Sequence, residues 1–233
     1  PDVGGTWWHN RYPGLRCDVE SLEYQYSWSP ELRREWRWSE RFSAQPEILA
    51  YAKFVADKLD LRRDIQFNAR VERAVWNDDT HTWSVSLSDG SSATARHVVF
   101  ATGALATPRM PDIPGVENYK GWIVHTAEWP MEGVDFTGMS VGLIGTGSSG
   151  LQVAPQIAKQ AKKLHIFQRS PAYSIPARNR ALSEEDYTRF FDNIDEFDSL
   201  AMAQKGGIVV ANPTLGVQDV SPEERERMLG ERW

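Results

Sequence analysis

One ten-residue segment constrains the fold more than any other part of the sequence. Residues 141–150 read Val-Gly-Leu-Ile-Gly-Thr-Gly-Ser-Ser-Gly, and a short apolar run of strand type, 140–145, leads into the glycines. Residues 151–162 continue with helical periodicity, and the apolar run 164–167 supplies another strand. The positions expected to be buried on the helix are Leu151, Val153, Ile157 and Ala158. The order strand, glycine turn, helix, strand predicts a βαβ unit.

The glycines of this turn have the spacing G-x-G-x-x-G. Gly145 permits a tight turn, Gly147 lets the backbone approach a pyrophosphate, and Gly150 lets the helix pack close to the strand. The free N–H groups and the positive dipole end of the helix then face the phosphates. Between a strand and a helix, this spacing favours a dinucleotide-binding site over a glycine-rich turn without function.

The end of the second strand indicates which dinucleotide binds. A carboxylate there would hold a ribose 2′-hydroxyl, but the sequence places Gln168, Arg169 and Ser170 at this point. A planar guanidinium can pair with the oxygens of a 2′-phosphate. NADP(H) is therefore favoured over NAD(H), and the alternative is that Arg169 is a solvated charge at a strand end.

Composition excludes several functional classes. The chain has 233 residues, enough for one large or two modest domains, and a net charge of −6, which argues against a nucleic-acid surface. Its one cysteine, Cys17, allows neither a disulfide framework nor a C-x-x-C redox pair. No apolar run reaches membrane-spanning length, and no cluster of ligand residues predicts a metal site.

The rest of the chain predicts further elements around the βαβ unit. Polar turns separate three short strands, which indicates an antiparallel meander, and three prolines in 104–118 suit a connection between domains. Residues 182–233 are charged and helix-prone. The remaining predictions are a helix at 45–61 and strands at 65–76, 83–87 and 94–102.

Three strings carry a family resemblance. Residues 4–18 are similar to G-G-x-W-x-x-x-x-Y-P-G-x-x-x-D, and 119–130 to the fingerprint F-x-G-x-x-x-H-x-x-x-W-P, with Tyr119 in place of phenylalanine. Ala101-Thr102-Gly103, at the end of a predicted strand, resembles an A-T-G segment. Together they resemble the Baeyer–Villiger monooxygenases, class B flavoproteins of the phenylacetone, cyclohexanone or steroid type. The Trp129-Pro130 ending favours these enzymes over the sister N/S-monooxygenases.

The resemblance implies an α/β protein with two Rossmann-like dinucleotide-binding domains. Residues 1–107 would form a partial FAD-binding domain with the meander, 108–138 a linker, and 139–233 a partial NADP-binding domain with a helical insertion from about 182. It also implies that the chain is a fragment, without the N-terminal FAD phosphate loop and the C-terminal part. The fragment alone is predicted to be inactive, and a cytoplasmic location is expected.

Site residues follow from the resemblance, position by position. Asp18 would be the catalytic residue, holding in place an arginine beside the flavin. His125 and Trp129 match a linker that organises domain movement, outside the substrate site. Positions matched to FAD are Thr6, Trp7, Trp8, His9, Tyr24, Val71, Ala101, Thr102 and Gly103. Arg16, Cys17 and Asp18 match a stretch beside the nicotinamide and the reacting face of the flavin. Positions matched to NADP are Gly145, Thr146, Gly147, Ser148, Ser149, Gly150, Leu151, Gln152, Arg169 and Ser170.

The implied activity is monooxygenation with FAD, NADPH and O2. Reduced flavin would form a C4a-peroxide that attacks a ketone and gives an ester or lactone. An amine or sulfide monooxygenase, and a non-catalytic NADP-binding module, remain alternatives. For single residues, the alternatives are that Asp18 caps a turn and that Cys17 is a packing residue.

Overall fold

The computed structural model describes residues 2–105, 107–172, 174–209 and 219–232. Its α-helices there are α1 Thr6–His9, α2 Pro30–Glu35, α3 Gln45–Lys58, α4 Ser148–Ala158, α5 Glu184–Asp192, α6 Ile194–Ala203 and α7 Pro222–Arg232. The strands are β1 Val71–Asn77, β2 Thr82–Leu87, β3 Ser92–Ala95, β4 Ser140–Ile144 and β5 Lys163–Phe167. The α/β class is confirmed. The chain divides into a first unit, Pro1–Arg11 with Leu49–Met131, and a second unit, Tyr12–Ile48 with Glu132–Trp233.

The first unit contains the predicted meander. Strands β1, β2 and β3 pair antiparallel in sequence order, with Trp76 opposite Trp83. The Asn77 side-chain oxygen accepts the amides of Asp79 and Thr80, which closes the first turn, as its polar residues predicted. The first strand begins at Val71, six residues later than expected. The meander itself is confirmed.

The third predicted strand, 94–102, is wrong beyond Ala95. Residues 96–102 form no strand, and Val99 and Phe100 are 87% and 63% exposed. An apolar run becomes a strand only where a neighbouring strand supplies hydrogen bonds, and none of the described strands pairs with this run. Ala101, Thr102 and Gly103 therefore lie in an exposed loop and do not end a strand.

The predicted helix at 45–61 is confirmed as α3 but ends at Lys58. Asp60 adopts left-handed backbone angles, with φ of 50°, and the chain turns into a short 3-10 helix, Leu61–Asp64. The carboxylate of Glu47, in the first turn of α3, accepts hydrogen bonds from the Ser39 amide and from the hydroxyls of Ser39 and Ser43. These bonds fix the start of the helix.

The second unit contains the predicted βαβ unit. Strands β4 and β5 pair in parallel, with Val141 opposite Leu164, and α4 connects them. Val153 and Ile157, one helical turn apart, are buried as expected. The predicted burial of Leu151 and Ala158 is wrong, because both residues lie off the stripe of α4 that Val153 and Ile157 define and are exposed.

Segment 12–48 packs in the same unit as the βαβ element. Residues 39–42 and 179–182 run antiparallel, with a bridge between Glu40 and Ala181, and the Tyr187 hydroxyl donates to the carbonyl of Trp38 at 2.8 Å. We call this pairing of 39–42 with 179–182 the backbone zipper. The assignment of 1–107, 108–138 and 139–233 to FAD domain, linker and NADP domain stays a prediction.

The helical prediction for 182–233 is confirmed for α5, α6 and α7, while 210–218 lie outside the described residues. Ser183 and Asp186 form a reciprocal capping box at the start of α5. Arg33 of α2 donates two hydrogen bonds to Asp198 of α6, at 2.8 and 3.0 Å, and its guanidinium lies over the ring of Phe190. These contacts attach α5 and α6 to segment 12–48.

Candidate functional site

The glycine turn between β4 and α4 has the geometry of an anion cradle. Gly145 has φ of 99°, which suits glycine, and a Cβ added at Gly150 would clash with the Gly145 carbonyl oxygen. Gly147, which has no side chain to cap the helix, is the N-cap of α4, and no other side chain of the described residues accepts the amides of the first turn. These donors of an 11-residue helix therefore remain for a ligand anion.

The close approach at Gly150 gives a direct test of the turn. Gly150→Ala should lower stability by roughly 1–2 kcal/mol, because the new methyl group forces α4 away from Gly145. Chemical denaturation measures this loss. Gly147→Ala is the matched control, because a Cβ there meets nothing within 4 Å. Equal stability of the two variants would contradict the close packing.

The end of β5 lies beside this turn. Gln168 donates from its side-chain amide to the Thr146 hydroxyl at 2.7 Å, which joins the residue after β5 to the glycine turn. Arg169 and Ser170 follow and are exposed. The Arg169 guanidinium forms no hydrogen bond or ion pair with any other described residue. A cation that is not neutralised by its neighbours is therefore available near the cradle.

A turn from segment 12–48 lies against the first turns of α4. The Gln152 side chain accepts from the Tyr12 hydroxyl at 3.0 Å and from the Arg16 amide at 3.4 Å, and donates to the Arg16 carbonyl at 3.0 Å. Gly14, with φ of 84°, lies so close to the Gln152 carbonyl that a Cβ would clash. No local sequence pattern predicts these contacts, because they join residues 136 to 140 positions apart.

The residues matched to the nicotinamide side, Arg16, Cys17 and Asp18, follow this turn. The Arg16 guanidinium donates to the Phe42 carbonyl at 2.8 Å and lies 3.3 Å from Glu40. Cys17 is buried, and burial raises the pKa of its thiol, which supports a packing role over redox chemistry. The Asp18 carboxylate is exposed and forms no hydrogen bond or ion pair with another described residue.

The first unit holds most residues matched to the flavin. Thr6, Trp7, Trp8 and His9 form α1, and Asn10 donates to the Thr6 hydroxyl at 2.8 Å. Gly4 precedes α1 with φ of 124°, and a Cβ there would come within 2.6 Å of the Leu49 side chain, so this position requires glycine. In the same unit Val71 lies in β1 and 101–103 in a loop, all exposed. Their flavin contacts stay predictions, as does that of Tyr24 in the second unit.

The remaining candidates, His125 and Trp129, have contacts typical of structural residues. The His125 ring nitrogen Nδ1 accepts the Ala127 amide at 3.1 Å at the start of a 3-10 helix, Thr126–Glu128, and Trp129 is buried. Both observations suit linker residues.

Within the described ranges, no His, Cys, Asp and Glu side chains cluster as metal ligands. No helix in the same ranges combines the length and apolar character that a bilayer span requires.

Comparison with known proteins identifies the family. The model of the flavin-binding monooxygenase-like family matches residues 39–187. The chain belongs to this family. It is 42% identical, over 100% of its length and 42% of the relative, to a Baeyer–Villiger monooxygenase from Pseudooceanicola batsensis. It is 36% identical, over 99% of its length and 42% of the relative, to a phenazine N-monooxygenase from Lysobacter antibioticus.

The structural comparison gives the same class. An oxidized steroid monooxygenase bound to NADP superposes with a TM-score of 0.87 and 49% identity, over 100% of this chain and 44% of that one. The resemblance to Baeyer–Villiger monooxygenases is therefore confirmed. The chain spans about two fifths of the length of the curated relatives it matches.

Proposed function

We propose that the full-length protein carrying this sequence is an FAD- and NADPH-dependent monooxygenase that inserts one oxygen atom of O2 beside a ketone carbonyl. The product is an ester or a lactone. The observation that carries the proposal is the cradle between β4 and α4 with Arg169 exposed beyond β5, in a chain of the flavin-binding monooxygenase-like family. The ketone is supported by the 119–130 string and by the similarity to a Baeyer–Villiger enzyme.

The residues present fit NADP(H). The uncapped amides of Ser148 and Ser149 would hold the pyrophosphate, since N–H groups at a helix N-terminus bind anions. Arg169 would pair with the 2′-phosphate through its planar guanidinium. No carboxylate stands at 168–170, where it would repel that phosphate. The bound nucleotide would therefore be anchored at two points of the same βαβ unit.

The segment 16–18 would serve the reacting end of the nucleotide. Reduced FAD, when bound, supplies the electrons and the activation of O2 that monooxygenation requires. Asp18, exposed beside the turn on α4, would hold a cationic side chain from another part of the protein in position. Thr6 to His9 would place a flat aromatic surface along the flavin ring.

Oxygenation of a nitrogen or sulfur atom is the second candidate. The similarity to a phenazine N-monooxygenase favours it, because that protein matches nearly the whole chain at 36% identity. The structural features above serve both reactions, so substrate trials must separate them. A non-catalytic NADP-binding module is the third candidate, distinguished by the absence of bound flavin.

Isotope labelling of the product tests the proposal. The full-length protein is expected to consume NADPH with cyclic or aryl ketones under 18O2 and to place one labelled atom in the ester, as seen by mass spectrometry. An amine and a sulfide serve as parallel substrates, and NADH as the control coenzyme. Labelled N-oxide or sulfoxide without ester would establish the second candidate. A purified protein that binds NADP+ without flavin would establish the third.

A further inference from the structure

The side chain of Gln152 makes an unusual set of contacts for a residue of a nucleotide-binding helix. Its amide oxygen accepts the Arg16 N–H and its amide nitrogen donates to the Arg16 carbonyl. Both backbone groups of Arg16 are thereby satisfied by one side chain, much as a neighbouring strand would satisfy them. The other edge of this segment pairs with the chain at 43–44, where the Cys17 amide donates to the Ser43 carbonyl. On the edge of this segment that faces α4, the Gln152 side chain thus takes the place of a neighbouring strand.

Two further contacts hold segment 12–16 against Gln152. The buried Tyr12 hydroxyl donates to the Gln152 amide oxygen, and burial raises the pKa of Tyr12, so that the hydroxyl keeps its proton. Gly14 lies against the Gln152 backbone with no room for a side chain. Residues 12–16 therefore contact side-chain and main-chain atoms of one residue of α4.

We propose that Gln152 is a positioning residue that transmits the placement of the bound nucleotide to segment 14–18. Gln152 lies two positions after Gly150, the last glycine of the cradle, and Asp18 two positions after Arg16. A nucleotide that orders the first turn of α4 would thus order the segment that carries Asp18. The inference rests on the proposed function for the identity of the nucleotide, whereas the contacts of Gln152 do not depend on it.

Hydrogen exchange of the full-length protein, with and without NADP+, tests this role. Gln152→Met keeps the side-chain length and removes the amide. The Arg16 amide, which loses its own hydrogen-bond acceptor, should then exchange about 3- to 10-fold faster, and its neighbours in 14–18 should follow in the same direction. Added NADP+ should still protect the cradle at 145–151 but should no longer protect 14–18. In the wild-type protein NADP+ should protect both segments.

Two other variants make the result decisive. Gln156→Met, one turn further along α4, is the control: the Gln156 amide bonds only to Lys159 among the described residues, and methionine keeps the Cγ that lies near Gly14. It should exchange like wild type. Tyr12→Phe removes one of the three hydrogen bonds of the Gln152 side chain, together with the interaction of Tyr12 with the Ser149 side chain, and should produce a smaller change in the same direction. If Gln152→Met does not fold, as judged by circular dichroism, Tyr12→Phe decides alone.

The outcomes separate this inference from the proposed function. Wild-type protection of 14–18 in both the Gln152→Met and Tyr12→Phe variants would overturn the role of Gln152. If NADP+ protects neither segment of the wild type, the nucleotide part of the proposed function and the transmission both fail. The coupling of the reaction gives a second readout: Gln152→Met should lower ester formed per NADPH consumed about 3-fold or more.

Discussion

Replacement of Asp18 by alanine in the full-length protein is expected to lower ester formation from a ketone about 100-fold or more. The loss has this size because a positioned electrostatic group typically contributes ~10²–10³ in rate. The exposed carboxylate lies outside the glycine cradle, so nucleotide binding should persist. Flavin should remain bound and reducible by NADPH, and the electrons should pass to O2 with release of hydrogen peroxide.

Ester, hydrogen peroxide and NADPH consumption are measured on one sample. Asp18→Asn retains the size of the side chain and removes its charge, so it should behave like the alanine variant. Asp89→Ala is the matched control, because Asp89 is an exposed turn aspartate whose carboxylate accepts the Ser91 amide in the first unit. Ester formation near the wild-type rate in the Asp18 variants would contradict the positioning role of this carboxylate.

The second large effect is expected at Arg169. Arg169→Ala should raise the KM for NADPH about 30- to 150-fold and the KM for NADH little. This range corresponds to ~2–3 kcal/mol, the contribution of charge-assisted hydrogen bonds to a phosphate. The effect is selective because only NADPH carries the 2′-phosphate.

Steady-state kinetics with both coenzymes measure this selectivity. Arg169→Lys keeps the charge but loses the planar pair of donors, so an intermediate KM is expected. Lys162→Ala, an exposed cation at the opposite end of β5, is the control and should leave both constants unchanged. Equal increases for NADPH and NADH in Arg169→Ala would refute the 2′-phosphate contact.

The βαβ unit was predictable because its signals are local. The apolar runs, the glycine spacing and the helical period of 151–162 all lie within 30 residues and act through backbone geometry. The turns of the meander were predictable for the same reason, since Asn77 closes its turn with its own side chain. The end of the third strand at Ala95 was not predictable, because strand formation beyond it depends on a partner elsewhere in the chain.

The candidate site was predictable in part. The glycines and Arg169 were identified from spacing, and segment 16–18 from the family resemblance. The contacts of this segment with Gln152 could not be predicted, because hydrogen bonds between residues more than 130 positions apart leave no periodic pattern in the sequence. The backbone zipper could not be predicted either, because its hydrogen bonds use main-chain amides and carbonyls, which every residue other than proline has.

The backbone zipper has a consequence for synthesis of the protein on the ribosome. Glu40 emerges about 140 residues before Ala181, its partner. At ~5–20 residues per second, Leu32 and Trp38 are synthesised ~7–30 s before α5 and α6, the helices that contact α2 and Trp38. Both side chains are almost fully buried in the finished protein, so the nascent chain exposes them for that time. Translation speed between residues 48 and 200 therefore sets how long these apolar side chains of segment 12–48 stay exposed.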